Sequence, residues 1–259
     1  MEMYQETCEA LAAGAAAKAR LLQKRPGAFF LSSCIAGGFI ALGSIVFLSL
    51  GGTLTAAGCS AARFLAGLVF SAALSLVVMA GCDLFTGNNL TVGVGLLAGR
   101  ISLSAALALW AVCWLGNLAG SWLLALLFQA TGLAGGEAFA AYLAAVTAGK
   151  LAAGPLQLLV KGVLCNLCVC LAVWCCARMK SESGKLIMIV WCILVFMLSG
   201  FEHSVANMSI LGLALMNGAA DITLAAYAES LVFVTLGNFA GGFCLVALPY
   251  WALSRPEKG

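Results

Sequence analysis

Six stretches of the sequence are apolar for long enough to form membrane-spanning helices. They fall at about residues 29–51, 61–98, 103–130, 154–178, 186–217 and 226–253. One span takes about 20 apolar residues, so the second and fifth stretches are longer than a single helix needs. Polar residues interrupt both of these stretches, at 81–89 and at 199–207. The pattern predicts an all-α membrane protein of six transmembrane helices, in which helices 2 and 5 are broken at membrane depth.

The composition excludes a soluble globular fold. Hydrophobic residues make up 63% of the chain and charged residues 9%, whereas typical globular domains have about 45–50% and about 25%. The charges stand singly between apolar runs and form no basic stripe along which a phosphate backbone could bind. We therefore exclude nucleic acid as a partner and expect the lipid bilayer to surround the chain.

The basic residues predict the orientation of the chain. Six spans place ten of the 13 Lys and Arg residues on one side: Lys18, Arg20, Lys24, Arg25, Arg100, Arg178, Lys180, Lys185, Arg255 and Lys258. Because positive residues are retained in the cytoplasm, both termini are predicted to be cytoplasmic. The chain then divides into a cytoplasmic amphipathic N-terminal segment (1–28), a transmembrane domain (29–253) and a cytoplasmic tail (254–259).

The two halves of the chain resemble each other. At a constant offset of 119 residues, the first interruption matches the second in four pairs: Gly81 with Gly200, Asp83 with Glu202, Asn88 with Asn207, and Gly93 with Gly212. The next spans match as LGNLAG at 115–120 and LGNFAG at 236–241, and both contain a GxxxG step that lets helices approach closely. Three spans per half reverse the orientation of the second half. We predict two inverted three-helix repeats, an arrangement in which a solute pathway passes the broken helices.

Ionisable residues stand in both interruptions. His203, the only histidine, lies beside Glu202, and ionisable groups inside a membrane are costly and usually functional. We interpret His203 as a polar or protonatable group at the narrowest part of a pore; the alternative is a neutral, hydrogen-bonded core histidine. Asp83 and Glu202 are equivalent, which favours a structural role, such as accepting backbone N–H groups at the broken ends, with Asn88 and Asn207 beside them.

Two lysines fall near or inside the fourth span. Lys150 precedes this span and is placed to draw an anion toward a pore, or else is an ordinary interfacial lysine. Lys161 lies within the span and must reach water, a carboxylate or lipid headgroups. Most of the 12 cysteines lie in apolar runs and are interpreted as packing residues. The CxxC pair at 165–168 lacks a second pair or a neighbouring histidine, so we predict no metal site and no cofactor.

Four motifs resemble the formate/nitrite transporter family: LFTG at 84–87, KGVLCNLCVCLAVW at 161–174, GFEHSVANM at 200–208 and LGNFAGG at 236–242. They occur in the family's order and extend over nearly the whole chain. The lysine-glycine start of the second motif is most like the nitrite-channel branch. The resemblance implies an aquaporin-like protomer of six helices, assembled as a homopentamer, with one anion pathway through each protomer.

The resemblance also implies roles for individual residues. His203 matches the central pore histidine, Thr86 the threonine of a flexible loop that breaks the second helix, and Lys150 the lysine of the outer vestibule. Asn166 and Asn238 match polar positions close to the central histidine. Five residues match the apolar constrictions on either side of the histidine: Phe70, Leu74, Leu84, Phe85 and Phe196. Val169 matches a position near the path.

These observations predict a channel or transporter for small monovalent anions in the cytoplasmic membrane. Nitrite is the expected anion, with formate and hydrosulfide as alternatives within the family. A bare anion between apolar rings loses its hydration at a cost of several kcal/mol. We therefore expect Lys150 to gather the anion and His203 to hydrogen-bond or protonate it, so that protons are a second partner.

Two other classes of protein are less consistent with the sequence. A water or glycerol channel would carry paired Asn-Pro-Ala motifs, and the chain contains none. A membrane enzyme or redox subunit would need clustered ligands or acid/base groups, and the chain offers a single histidine. We expect neither an enzyme nor a cofactor-binding protein. The resemblance also implies closure at low pH through rearrangement of residues 1–28.

Overall fold

The computed structural model describes residues 2–255, with side chains from residue 4 onward. All regular structure in this range is helical, and the predicted tail at 254–259 lies mostly outside it. The α-helices are α1 Glu2–Lys24, α2 Pro26–Ala56, α3 Ala62–Ala80, α4 Phe85–Leu97, α5 Leu103–Ala130, α6 Glu137–Leu151, α7 Pro155–Arg178, α8 Glu182–Ser199, α9 Ser204–Asn217, α10 Leu224–Gly242 and α11 Leu248–Leu253. A π-helical segment, Phe243–Ala247, joins the last two of them.

The six predicted spans are confirmed. Within the described residues, six helices are long and apolar enough to cross a membrane: Pro26–Ala56, Ala62–Ala80, Leu103–Ala130, Pro155–Arg178, Glu182–Ser199 and Leu224–Leu253. The second and fifth predicted stretches are each divided into two helices, α3 with α4 and α8 with α9. The protein is thus all-helical, with broken second and fifth elements as the sequence pattern indicated.

The breaks are shorter than the polar interruptions that predicted them. Their non-helical residues are 81–84 and 200–203, because α4 and α9 begin within the polar segments. Gly81 and Gly200 end the preceding helices in the left-handed conformation, with φ of 74° and 72°. Glycine adopts this conformation at little steric cost, so each break begins with a sharp change of chain direction.

Helix α6 was not predicted from the sequence. It is alanine-rich, which favours a helix, but its 15 residues are too few to register as a span. It precedes α7 as α1 precedes α2, and both spans begin with a proline, Pro26 and Pro155, at an offset of 129. Helix α6 is therefore the counterpart of α1, and each repeat consists of a leading helix, a span, a broken pair and a second span.

The first and last spans of each repeat cross at glycines. A Cβ atom on Gly120 of α5 would overlap the carbonyl oxygen of Cys34 in α2. In the second repeat, a Cβ on Gly237 would overlap the carbonyl oxygen of Leu159 in α7. Both crossings bring helix backbones into direct contact, as the GxxxG steps predicted.

Candidate functional site

Two cavities lie along α3. The larger, about 630 Å³, is lined by Arg63, Lys150 and Lys161 among others, and we call it the Lys150 vestibule. The smaller, about 190 Å³, is lined by Lys18 and Leu74 among others, and we call it the Lys18 vestibule. Residues of α3 line the first cavity from Ala62 to Phe70 and the second from Leu74 onward, so the two cavities follow one another along this helix.

The first break is held by the carboxylate of Asp83. Lys18 of α1 pairs with its Oδ1 atom, and Asn88 Nδ2 donates a hydrogen bond of 3.4 Å to the same atom. The hydroxyl of Ser32 donates to Oδ2 at 2.8 Å. Asp83 is 5% exposed, so this group of side chains satisfies a carboxylate that is removed from water.

The second break repeats this arrangement with Glu202. Lys150 of α6 donates from Nζ to Glu202 Oε2 at 2.6 Å and to Asn207 Oδ1 at 2.8 Å. Asn207 Nδ2 completes the group by donating to Glu202 Oε2 at 2.9 Å. We call the two groups, Lys18–Asp83–Asn88 and Lys150–Glu202–Asn207, the first and second clamps. In both, a lysine from the leading helix of the repeat reaches the carboxylate of its break.

The clamps correct one expectation from the sequence. Asp83 and Glu202 lie in the breaks, but their described partners are lysine, asparagine and serine side chains and not backbone N–H groups. The reason is that α1 and α6 bring Lys18 and Lys150 within contact distance. The role of Lys18 was missed because pairing between a leading helix and a break is not visible in the sequence.

Asparagine side chains bind the backbone of the breaks instead. In the first repeat, the N–H of Phe85 donates to Asn117 Oδ1 at 2.8 Å. Asn117 Nδ2 in turn donates to the carbonyls of Ser33 and Asp83, at 2.7 and 3.0 Å. Asn117 was not among the predicted site residues, although its position in the repeated LGN motif was a usable signal. It satisfies backbone groups that a broken helix leaves unpaired.

Asn238 does the same in the second repeat. It accepts from the N–H of Ser204 at 2.8 Å and donates to the carbonyls of Gly162 and Glu202 at 2.8 and 2.9 Å. Asn166 is linked to it, since its Nδ2 donates to the Asn238 carbonyl at 2.6 Å. The structure thus brings Asn166 and Asn238 together behind the second break, where both bind backbone.

His203 caps the N-terminus of α9. Its Nδ1 atom accepts from the N–H of Ala206 at 3.1 Å, and its Nε2 atom lies 3.1 Å from Thr86 Oγ1. Because Nδ1 acts as the acceptor, the proton of the neutral ring is on Nε2. The ring stacks on Phe196, with centroids 6.0 Å apart and 17° between the planes. His203 is 4% exposed and lines the Lys150 vestibule, so Nε2–H is its available donor.

Thr86 lies in the first turn of α4 and not in the non-helical part of the break, where the resemblance placed it. It is fully buried. Its carbonyl accepts from Asn166 Nδ2 at 3.3 Å, so its backbone is held from the side of α7. The loop that breaks the second element comprises residues 81–84, and Thr86 follows it.

The repeat places Leu84 at the position of His203. The two residues are 119 apart in sequence, and each is the N-cap of its short helix, with extended backbone angles. Leu84 lines the Lys18 vestibule, as His203 lines the Lys150 vestibule. The symmetric scaffold therefore carries an apolar residue at one break and a hydrogen-bonding residue at the other.

Four of the predicted constriction residues lie where the vestibules end. Phe70 and Phe196 line the Lys150 vestibule, and their rings contact edge to face with centroids 6.0 Å apart. Leu74 and Leu84 line the Lys18 vestibule. Phe70 and Leu74 are one turn apart on α3, so an apolar layer separates the cavities at this level.

Two other predicted residues line neither vestibule. Phe85 lies in a surface groove with Trp110 and Trp114, and Val169 is buried within α7. Their assignment to the pathway stays a prediction. Val173, on the same helix as Val169, lines the Lys18 vestibule and was not predicted, because nothing in its sequence context distinguishes it from a packing residue.

The described residues contain no group of three or more His, Cys, Asp or Glu side chains arranged to hold a metal ion. One donor, His203 Nε2–H, lines the Lys150 vestibule beside the apolar layer that separates it from the Lys18 vestibule.

Comparison with known proteins places this geometry in one family. A sequence profile described as "Formate/nitrite transporter" matches residues 5–252. The chain is 38% identical over 258 residues to the nitrite transporter NirC of Salmonella typhimurium, covering 99% of this chain and 94% of that protein. It is 30% identical to the formate channel FocA of Haemophilus influenzae, covering 85% and 84%.

Solved structures agree with the sequence matches. A structure described as an FNT family ion channel superposes with a TM-score of 0.89 at 37% identity, covering 96% of this chain and 99% of that one. A pentameric formate channel with formate bound gives a TM-score of 0.77 at 28% identity, covering 89% and 98%. With its six apolar helices, two broken elements and full-length matches, this multi-pass membrane protein belongs to the formate/nitrite transporter family.

Proposed function

We propose that the chain is a channel for small monovalent anions, nitrite first, and that it is not an enzyme. The pathway runs from the Lys150 vestibule past His203 to the Lys18 vestibule of the same protomer. The observation that carries the proposal is the position of His203 Nε2–H, which lines the Lys150 vestibule with Phe70 and Phe196, on the side where Leu74 and Leu84 begin the Lys18 vestibule. A donor at this level offsets part of the hydration that an anion loses there.

The hydrogen bond from Ala206 N–H to His203 Nδ1 limits what His203 can do in passage. Protonation at Nδ1 would displace the N–H of Ala206, because a doubly protonated ring has no acceptor. While the cap is intact, the ring gives the anion a hydrogen bond and keeps its own proton. A proton that neutralises the anion then comes from water in a vestibule. Thr86 Oγ1 accepts from Nε2 between passages and leaves its own hydroxyl proton free for the anion.

We further propose a homopentamer in the cytoplasmic membrane with both termini in the cytoplasm. Support comes from the solved pentameric formate channel, with which this chain shares 28% identity, and from the concentration of basic residues on one side. The domains follow as an N-terminal segment (1–28), a channel domain (29–253) and a tail (254–259). Antibody binding to epitope tags fused to the two termini, in intact and in permeabilised cells, tests this orientation.

Anion flux into proteoliposomes tests the function. We expect wild-type protein to carry nitrite in preference to formate and hydrosulfide at about pH 5.5 and about pH 7.5. His203→Asn replaces the Nε2–H donor and is expected to lower the flux and to lose this preference. Wild-type flux and preference in His203→Asn would contradict the proposal. Wild-type protein that carries all three anions equally would exclude nitrite selectivity.

Formate is the second candidate substrate. Relatives named for formate share 28% to 35% identity with this chain, and those named as nitrite transporters share 38%. A formate preference in the same flux measurement would favour this second function, with the pathway unchanged.

A further inference from the structure

Lys150 is held too firmly to be the main attraction for an anion. Its ammonium donates to Glu202 Oε2 at 2.6 Å and to Asn207 Oδ1 at 2.8 Å. The Lys150 side chain is 15% exposed and that of Glu202 is 5% exposed. An ion pair this close is a dipole when viewed from the vestibule, because the carboxylate cancels most of the lysine's field. An anion entering this cavity therefore meets little net charge from Lys150.

Two other cations line the same cavity. Arg63 extends from the start of α3 and Lys161 from the second turn of α7, and both border the Lys150 vestibule. The described lining residues include three basic side chains, Arg63, Lys150 and Lys161, and one carboxylate, that of Glu202. After Lys150 and Glu202 are paired, no carboxylate among the described lining residues compensates the charges of Arg63 and Lys161.

Arg63 also binds the C-terminal end of α8. Its Nη2 donates to the carbonyl of Leu198 at 2.5 Å, near the end of α8. The guanidinium also lies near Gly200, where the second break begins. A cation at this position complements the negative end of the helix dipole. The carbonyl is neutral, so the positive charge of Arg63 still acts on the cavity.

The Lys161 ammonium makes no comparable hydrogen bond to the backbone among the described residues. Its backbone carbonyl accepts from the N–H of Glu202 at 3.3 Å, which places α7 beside the second break. Among the side chains that the structure describes, its ammonium forms no ion pair. A lysine in a span needs water or a counter-charge, and Lys161 borders both the Lys150 vestibule and an open surface groove with Leu156, Gln157 and Val160.

We propose that Lys161, supported by Arg63, draws the anion into the Lys150 vestibule, while Lys150 holds Glu202 and the second break in place. The inference rests on the proposed function. A charge in a cleft with low-dielectric walls raises the local concentration of an oppositely charged solute. Lys161 therefore sets the anion concentration at which the pathway half-saturates, and His203 acts on each anion that has already been concentrated.

The experiment measures nitrite and formate flux against anion concentration, applied from the Lys150 side, for wild type, Lys161→Gln and Lys161→Arg. Lys180→Gln is the matched control, because it removes the same charge beyond the far end of α7, roughly 25 Å away. We expect Lys161→Gln to raise the half-saturating concentration by about threefold to tenfold with little change in maximal flux. Lys161→Arg and Lys180→Gln are expected to behave as wild type.

Three outcomes overturn the inference: a wild-type half-saturating concentration in Lys161→Gln, an equal rise in Lys180→Gln, or a fall in maximal flux alone. Elution as the wild-type assembly in size-exclusion chromatography establishes that each variant is folded. Wild-type protein that carries neither anion would refute the proposed function instead.

Discussion

The Oγ1 atom of Thr86 and the Nε2 atom of His203 lie 3.1 Å apart, where the first turn of α4 meets the N-cap of α9. Thr86→Val keeps the shape of the side chain but removes the hydroxyl. A hydrogen bond to a charged group contributes about 1.5–3 kcal/mol, so we expect nitrite flux to fall at least about tenfold. Thr86→Ser retains the hydroxyl and is expected to retain most of the flux. Wild-type flux in Thr86→Val would show that the hydroxyl takes no part in passage.

The cap made by His203 is testable separately from transport. Asn is a good N-cap residue and Leu is not, so His203→Leu is expected to lose about 1 kcal/mol of stability that His203→Asn keeps. The backbone tolerates leucine, since Leu84 is the N-cap of α4 with similar angles. Thermal unfolding of the purified variants in detergent measures the difference. Equal melting temperatures for the two variants would contradict a capping role.

The second clamp predicts a rescue by a second mutation. Lys150→Met leaves the buried Glu202 carboxylate without its counter-charge, and we expect a loss of about 3 kcal/mol. Adding Glu202→Gln removes the unpaired charge and is expected to recover most of this stability.

The first clamp provides the matched comparison. The Lys18 side chain is 26% exposed against 15% for Lys150, so water replaces the lost lysine more easily in Lys18→Met. We expect Lys18→Met to destabilise the protein less than Lys150→Met in unfolding measurements.

For the second clamp, a Lys150→Met/Glu202→Gln double variant that is no more stable than Lys150→Met would contradict the charge argument.

The helix crossing in the second repeat predicts a strong position dependence for alanine. A Cβ on Gly237 would overlap the carbonyl oxygen of Leu159, whereas a Cβ on Gly149 of α6 meets nothing within 4 Å. Gly237→Ala is expected to destabilise the protein by about 1–3 kcal/mol through overpacking. Gly149→Ala is expected to be neutral or slightly stabilising, because alanine favours helices. The yield and melting temperature of the folded protein after detergent extraction distinguish the two.

Much of the fold was predictable because the membrane imposes a simple rule. Apolar length located the spans, and polar residues inside the second and fifth stretches located the breaks. The same rule singled out His203 as a candidate site residue, since an ionisable group inside a membrane span is costly and usually functional. The offset of 119 residues between Asp83 and Glu202 predicted equivalent positions, and each carboxylate pairs with a lysine and an asparagine in the structure.

The sequence did not reveal which groups meet across the fold. Helix α6 is too short to appear as a span, so its equivalence to α1 was not seen. Lys18 and Lys150 were counted for orientation and attraction, whereas in the structure each holds a carboxylate of its own repeat. Such pairings depend on how helices pack after insertion, which the spacing of residues along the chain does not encode.

The neutrality of the clamps has a consequence for how the protein responds to voltage. A membrane potential performs work of about 2.3 kcal/mol per 100 mV on each elementary charge that crosses it. Each clamp pairs one lysine with one carboxylate, so a clamp that stays intact gives the potential no net charge to displace. The electrical force then acts on the anion in the pathway, and the clamps do not serve as voltage sensors.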